Sequence, residues 1–283
     1  MKPSAYEYLA PETCEEAVRA IAEHGDEAAV LAGGQSLIPM MNLRIAAPRV
    51  LIDIMRIEEL DVIRDDGGSI EIGAGVRMTR AEREIPEPLL GKALRHVGHA
   101  AIRNCGTVCG SVAHADPAAE VPAVVLALDG EVVLRSARGE RILPADEFFQ
   151  SYFTTAREPD EIVVAVRIPV AAPRVAFLEV TPRLGGSTGE FATVAVAAAA
   201  ELDAAGRFAR VSLAFAGVAE RAVRAREAEA LLIGAEPTAE ILEAAARSAA
   251  GAVDPPADVH AGAEYRRHLV GVLTRRALTE LTA

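Results

Sequence analysis

The sequence predicts a mixed α/β and α+β protein in two parts, and three observations carry that prediction. Short apolar strands accompany an amphipathic helix within the first 55 residues. A strand that alternates over residues 162–168 is closed by Pro169, and the composition then shifts to Ala171-Ala172-Pro173-Arg174. Beyond that seam strands come first and helices last, the ordering of a sheet covered on one face. At 283 residues and 51% hydrophobic the chain can hold two domains. Aromatics are only 4% and Trp is absent, so alanine supplies much of the apolar surface and close packing is expected.

Taken in order, Thr13-Cys14-Glu15-Glu16 is a capping box with Glu16 at N3, and Cys14, Val18 and Ile21 recur behind it at helical spacing until His24-Gly25. Residues 28–31 and 50–54 read as strands, giving a compact strand–helix–strand unit. Asp65-Asp66-Gly67-Gly68 is a turn into an alternating strand at 69–74. Thr79 with Glu82 offers a helix start, 89–99 reads as helical, and 120–128 reads as a largely buried helix. Asp129-Gly130 turns into a strand at 131–135. After the seam, strands are expected at 175–180, 192–202 and 210–216, with helices at 221–232, 238–249 and 263–282.

With 29 basic and 41 acidic residues the formal charge is −12, which disfavours nucleic acid or anionic lipid over a broad surface. Backbone amides can still supply a local anion site. Cys14, Cys105 and Cys109 make neither a disulfide framework nor the four-thiolate set of an iron–sulfur cluster, and structural cysteines are expected over a redox pair. The N-terminal residues lack an apolar signal core and no segment approaches a membrane span, so a cytoplasmic protein is expected. The histidines assemble no metal-ligand pattern, Ser36 and Ser111 lack the setting of a nucleophile, and Met40-Met41 reads as core.

The densest feature is the glycine-rich bend Leu31-Ala32-Gly33-Gly34-Gln35-Ser36-Leu37, directly after the strand at 28–31. Two consecutive glycines let a backbone turn tightly and present N–H groups to an anion. Anion binding and a plain tight turn are both open readings, and Gln35 either bonds a ligand or fixes the loop. A second bend of related character is Gly106-Thr107-Val108-Cys109-Gly110-Ser111. Two such bends suggest a long ligand with a diphosphate in its middle, a dinucleotide. Neither Gly-x-Gly-x-x-Gly nor a P-loop is present, so the usual nicotinamide and ATP sites are weakly supported. Asp116, before Pro117, reads either as a helix N-cap or as a partner for sugar hydroxyls.

A family resemblance is carried by Ala32-Gly33-Gly34-Gln35-Ser36-Leu37-Ile38-Pro39 with Asn42-Leu43-Arg44 and Leu51-Ile52-Asp53-Ile54, then by Arg103-Asn104 through Gly110-Ser111 to Ala113-His114-Ala115-Asp116-Pro117-Ala118-Ala119-Glu120, by Phe148-Phe149 through Pro159-Asp160-Glu161-Ile162, and by the ending Glu264-Tyr265-Arg266-Arg267-His268-Leu269. The chain resembles the FAD-binding medium subunit of the molybdenum hydroxylases, the carbon monoxide dehydrogenase and xanthine dehydrogenase type. The resemblance implies a two-lobed FAD-binding domain of the vanillyl-alcohol-oxidase type over residues 1–172, with lobes of about 1–55 and 56–172. A smaller C-terminal α/β domain, of the carbon monoxide dehydrogenase flavoprotein type, follows at 173–283. Noncovalent FAD is expected on Leu31, Ala32, Gly33, Gly34, Gln35, Ser36 and Leu37, and on Gly106, Thr107, Cys109, Gly110, Ser111, Asp116 and Phe191.

The resemblance also implies electron transfer in a larger complex. Molybdopterin and [2Fe-2S] clusters would sit only in partners, a large molybdenum-cofactor subunit and a small two-cluster subunit, in a dimer of heterotrimers. No catalytic side chain is expected in this chain. A free-standing FAD-dependent oxidoreductase on the same fold is the alternative. Two departures stand out. Cys109 replaces a usual glycine and would be strained at positive φ, and the run 183–191 is longer than the family pattern, with Glu190 where Asp is usual.

Overall fold

The structure, a computed structural model, describes residues 2–170, 174–182 and 190–283. Strand β1 (Glu7–Leu9), helix α1 (Cys14–His24), strand β2 (Ala28–Leu31), helix α2 (Leu37–Asn42) and strand β3 (Val50–Asp53) make the first lobe. The N-cap half of the capping box forms, Thr13 Oγ1 accepting from the Glu16 N–H at 3.2 Å, while the Glu16 carboxylate accepts from the N–H of Glu12, one residue before the cap, at 2.9 Å. Cys14, Val18 and Ile21 are buried as their spacing predicts. The strands run parallel in the order β1-β3-β2. The expected strand–helix–strand unit is therefore larger by β1 and α2, both too short to show a period.

The second lobe comprises β4 (Ile63–Asp65), β5 (Ser69–Gly73), α3 (Met78–Glu84), α4 (Pro88–Leu94), α5 (Ala100–Cys105), α6 (Val108–His114), α7 (Glu120–Ala127), β6 (Glu131–Ser136), β7 (Gly139–Pro144), α8 (Ala145–Phe148), β8 (Phe149–Ser151), β9 (Thr154–Thr155) and β10 (Ile162–Pro169). Five of its strands form an antiparallel sheet in the order β4-β5-β10-β6-β7. Thr79 does not start α3. Arg77 precedes the helix, and the Thr79 hydroxyl instead donates to Asn104 Oδ1 at 2.7 Å, tying α3 to α5. The helix expected at 89–99 stops at Leu94, begun by Pro88 at its first turn and by Glu87, whose carboxylate accepts from Leu89 and Leu90 N–H. Gly98, at φ +48°, then redirects the chain into α5. Every residue of α7 is buried, in keeping with a helix apolar all round.

The C-terminal part has β11 (Arg174–Val180), β12 (Val194–Leu202), β13 (Phe208–Ala216) and β14 (Val223–Arg224) in one antiparallel sheet, then α9 (Arg226–Leu232), α10 (Ala239–Gly251) and α11 (Ala263–Thr282). The helix expected from 221 starts at Arg226, because Val223 and Arg224 pair with β13 first. The residues 171–173 of the compositional seam lie outside the described residues. Strand β12 is buried on both faces. Ala195, Ala197 and Ala199 join the core of the N-terminal lobes, while Val194, Val196, Ala198 and Ala200 join a separate core beneath α10 and α11. Arg266 of α11, buried, donates to Thr193 O at 2.5 Å and Gly217 O at 2.9 Å, and the Gly217 N–H donates to Pro117 O at 2.8 Å. The C-terminal helix thus holds the loop that carries Asp116.

Candidate cofactor-binding site

The two glycines of the first bend serve different ends. A Cβ on Gly33 would lie 2.2 Å from Cys105 O and 2.6 Å from Gly106 Cα, so this position tolerates no side chain and the two glycine segments are in contact. Gly34 instead adopts φ +70°, the left-handed region. Gln35 Nε2 donates to Gly33 O at 3.0 Å, so of the two roles open to this side chain, fixing the loop is the one it performs. Among the described residues nothing accepts from the backbone N–H of Gly33, Gly34, Gln35 or Ser36. The bend offers main-chain donors that the fold itself leaves unused.

The second glycine segment is a helix start and not a bend. Thr107 N-caps α6, its Oγ1 accepting from the Gly110 N–H at 3.0 Å. The Ser111 N–H returns to Thr107 O at 3.2 Å and the Val108 N–H to Val76 O at 3.3 Å. Most amides expected to meet an anion here are therefore bonded within the protein. Cys109 lies inside α6 and has no positive φ, so the strain foreseen there does not arise. Its Sγ donates to Ile72 O at 3.2 Å and burial pushes the thiol up to about 12, which makes it structural. The glycine requirement falls one residue later, where a Cβ on Gly110 would stand 2.7 Å from Thr107 Oγ1. Asp116 does not cap α7. Its Oδ1 accepts from the Ala118 N–H at 2.9 Å and closes the turn before that helix, whose own N-cap is Ala119.

These segments enclose a cleft of about 510 Å³, within the range of small-molecule sites. Residues 32–37, Gly106, Thr107, Cys109, Gly110, Ser111, Asp116 and Phe191 all line it. Leu31 does not; its Cδ1 packs beneath Gly34, 3.1 Å from that residue's Cβ position. Phe191 keeps 59% of its surface exposed. The long run 183–189 lies outside the described residues, while Glu190 lines the cleft. Of the Met40-Met41 pair read as core, Met41 is buried and Met40 only half-buried.

Three lining residues were not legible as site residues. His114 lies with its ring centroid 5.0 Å from that of Phe153, the planes tilted by 42°, and burial holds its imidazole below the usual range. Arg157 donates to Glu158 O at 2.9 Å and Glu161 O at 2.8 Å, and burial lowers its guanidinium. Burial pushes the Glu120 carboxyl up to about 7, with the charge of Asp116 adding to it. His114 had a sequence signal in its place two residues before Asp116. Arg157 had none, because the connection from β9 to β10 brings it in. Among the described residues no group of three or more His, Cys, Asp or Glu could hold a metal ion, and no helix is long and apolar enough to cross a membrane.

The FAD binding domain in molybdopterin dehydrogenase matches residues 4–171, and the CO dehydrogenase flavoprotein C-terminal domain matches residues 183–281. The chain belongs to the FAD-binding medium subunits of the molybdenum hydroxylases. Within this family, subunit alpha of the 6-hydroxypseudooxynicotine dehydrogenase complex from Paenarthrobacter nicotinovorans is 36% identical, over 99% of this chain and 95% of its own. The carbon monoxide dehydrogenase medium chain of Hydrogenophaga pseudoflava is 35% identical, over 98% of this chain and 97% of its own. The solved Hydrogenophaga pseudoflava carbon monoxide dehydrogenase that lacks the Mo-pyranopterin moiety superposes with a TM-score of 0.94 at 36% identity, covering 99% of this chain and 98% of that one.

The N-terminal part is accordingly an FAD-binding domain and the smaller C-terminal part the flavoprotein C-terminal domain. The residues present fit that cofactor. Unused amides at residues 33–36, closed onto the Cys105-Gly106 backbone, are a donor set for a pyrophosphate, and the cleft walls between Ile102, Met78 and Val163 are apolar.

Proposed function

We propose that this chain is the electron-transfer subunit of a molybdenum hydroxylase complex, with FAD held noncovalently in the cleft. One observation carries the reading: among the described residues nothing accepts from the four backbone amides at residues 33–36, which lie beside a cleft of about 510 Å³. In this reading those amides hold the pyrophosphate, Thr107 and Ser111 complete the anion site, Asp116 takes sugar hydroxyls, and Phe191 neighbours the flat ring. When bound, FAD supplies a centre that exchanges electrons singly with iron–sulfur clusters and in pairs with a terminal acceptor.

The chain's own residues place the cofactor and exclude water. Gly33 presses the bend onto the Cys105-Gly106 backbone, and Gln35 stiffens it from within. No side-chain acid or base is required for electron passage. The reading includes the two-lobed vanillyl-alcohol-oxidase type of fold over residues 1–172 with a domain at 173–283. It also includes a large molybdenum-cofactor subunit and a small two-cluster [2Fe-2S] subunit in a dimer of heterotrimers. A cytoplasmic location is part of it, and three free thiols suit a reducing compartment.

The substrate belongs to the partner. Relatives of 36% and 35% identity carry the names of different substrates, so similarity in this chain selects neither. Purification of the native complex tests the proposal. The chain should be yellow, release intact FAD on acid precipitation, and accompany iron and molybdenum. A colourless chain that takes up no added FAD overturns it, and a lone active reductase without metal partners favours the free-standing alternative.

A further inference from the structure

Among the described residues, Arg157 is the only Lys or Arg that lines the cleft, and it shares the lining with four acids, Asp116, Glu120, Glu161 and Glu190. The acids nearest to it in sequence are taken by other cations. Asp160 accepts from Arg138 at 3.0 Å, and Glu161 accepts from Arg141 at 2.7 and 2.8 Å. Among the described residues no carboxylate forms an ion pair with Arg157 itself. The fold therefore brings a cation to the cleft and leaves its charge unmet.

The guanidinium is nevertheless pinned. Its Nη1 alone donates to three main-chain carbonyls, Glu158 O at 2.9 Å, Pro159 O at 3.4 Å and Glu161 O at 2.8 Å. Nε and Nη2 make no hydrogen bond among the described residues, so one edge of a planar fork is anchored and the other is free. The bond to Glu161 O sets Arg157 at the lead into β10, whose first residues Ile162 and Val163 line the cleft together with Ile21 of α1 and residues 28–30 of β2. The bend at 33–36 follows directly on β2 and touches the Cys105-Gly106 backbone that leads into α6. It thus stands between the flank of Arg157 and the flank of Asp116 and Phe191.

We infer that Arg157 engages the AMP half of the cofactor and makes the cleft select FAD over FMN, which lacks that half. The inference rests on the FAD reading, in which the bend takes the pyrophosphate in the middle of the ligand and Phe191 neighbours the flat ring at one end. The AMP half then runs along β2 toward Arg157. The free edge of the fork donates to its phosphate and ribose oxygens, a charge-assisted contact of the kind a guanidinium makes best. Because Nη1 already holds the group in place, little side-chain freedom remains to be lost when the ligand arrives.

The test has two arms on the full, flavin-free chain. In wild type, ADP should protect Arg157 from modification by phenylglyoxal, read by peptide mass mapping, whereas FMN should not. In the second arm, Arg157→Gln should weaken FAD and ADP binding about tenfold or more, the weight of a hydrogen bond to a charged group, and leave FMN binding unchanged. Arg157→Lys, which keeps the charge without the planar fork, should recover only part of that loss. Equal losses for FAD and FMN are what a residue that merely holds the 158–161 turn would give, and they overturn the inference. A wild-type chain that binds FAD while ADP leaves Arg157 fully reactive overturns it alone. A chain that binds neither FAD nor ADP overturns the FAD reading and this inference together.

Discussion

Gly33 lies with its Cα against the backbone of Gly106, whose own Cα is 2.6 Å from where a Gly33 Cβ would stand; Cys105 O is closer still, at 2.2 Å. Both neighbours are main chain and cannot swing aside. Gly33→Ala must therefore push the bend away from the C-terminal end of α5 and Gly106, at a cost of about 1–3 kcal/mol for overpacking. The expected result is a lower melting temperature together with less bound FAD per chain. Wild-type occupancy in this variant would show that contact between the two segments is not what holds the cofactor.

Ser36→Ala should be mild by comparison. If main-chain donors dominate, only one hydrogen bond is lost, about 0.5–1.5 kcal/mol net. Flavin titration of the two variants side by side gives the ranking.

Thr107→Ala removes the N-cap of α6 and should destabilise the protein by about 0.5–2 kcal/mol. Gly110→Ala should match or exceed it, since the new methyl would meet Thr107 Oγ1 at 2.7 Å and displace the same cap. Denaturant unfolding of the two variants and their double mutant should give a double-mutant effect well short of the sum.

Two carboxylates should give stability profiles of opposite slope. Burial opposes the charge on Glu161, yet Arg141, at 2.7 and 2.8 Å, and the Glu158 N–H hold its carboxyl below the usual range. Its contribution is present above the ordinary Glu range and is lost as pH falls through the folded value. Burial raises Glu179 of β11 to about 8, so its contribution is full below the ordinary Glu range and is lost as pH rises toward about 8. Urea unfolding across pH should show Glu161→Gln costing most near neutrality. The stability of wild type relative to Glu179→Gln should fall from acid to neutral pH.

Arg266→Ala should strip buried Thr193 O and Gly217 O of their donor. An orphaned buried polar group costs about 1–3 kcal/mol. Because Gly217 in turn bonds Pro117, flavin retention should fall along with the melting temperature, although Arg266 lies outside the cleft.

Much of this was written locally. The Thr13 cap, the apolar run of β10 and the apolar α7 each announce themselves within a dozen residues, because caps and apolar runs are short-range properties, although β10 is buried on both faces at the centre of its sheet and does not alternate as read. The bend at 33–36 was legible for the same reason. What escaped is of two kinds. Elements such as β1, α2 and α5 span three to six residues, too few to display a period. The role of residues 107–111 depended on which acceptors the amides find, and those include Val76, far away in sequence. Arg157 and Glu179 reach their places only through tertiary packing, so no neighbouring residue could have flagged them.

The alanine strand β12 is a thin septum. With methyl groups directed to both sides along residues 197–200, it lets the flavin-side helices and the C-terminal helices approach a shared wall more nearly than leucines would allow. A wall that thin has no slack on either flank. A displacement of α10 and α11 would be felt at α7, and hence at the buried cleft wall to which Glu120 belongs.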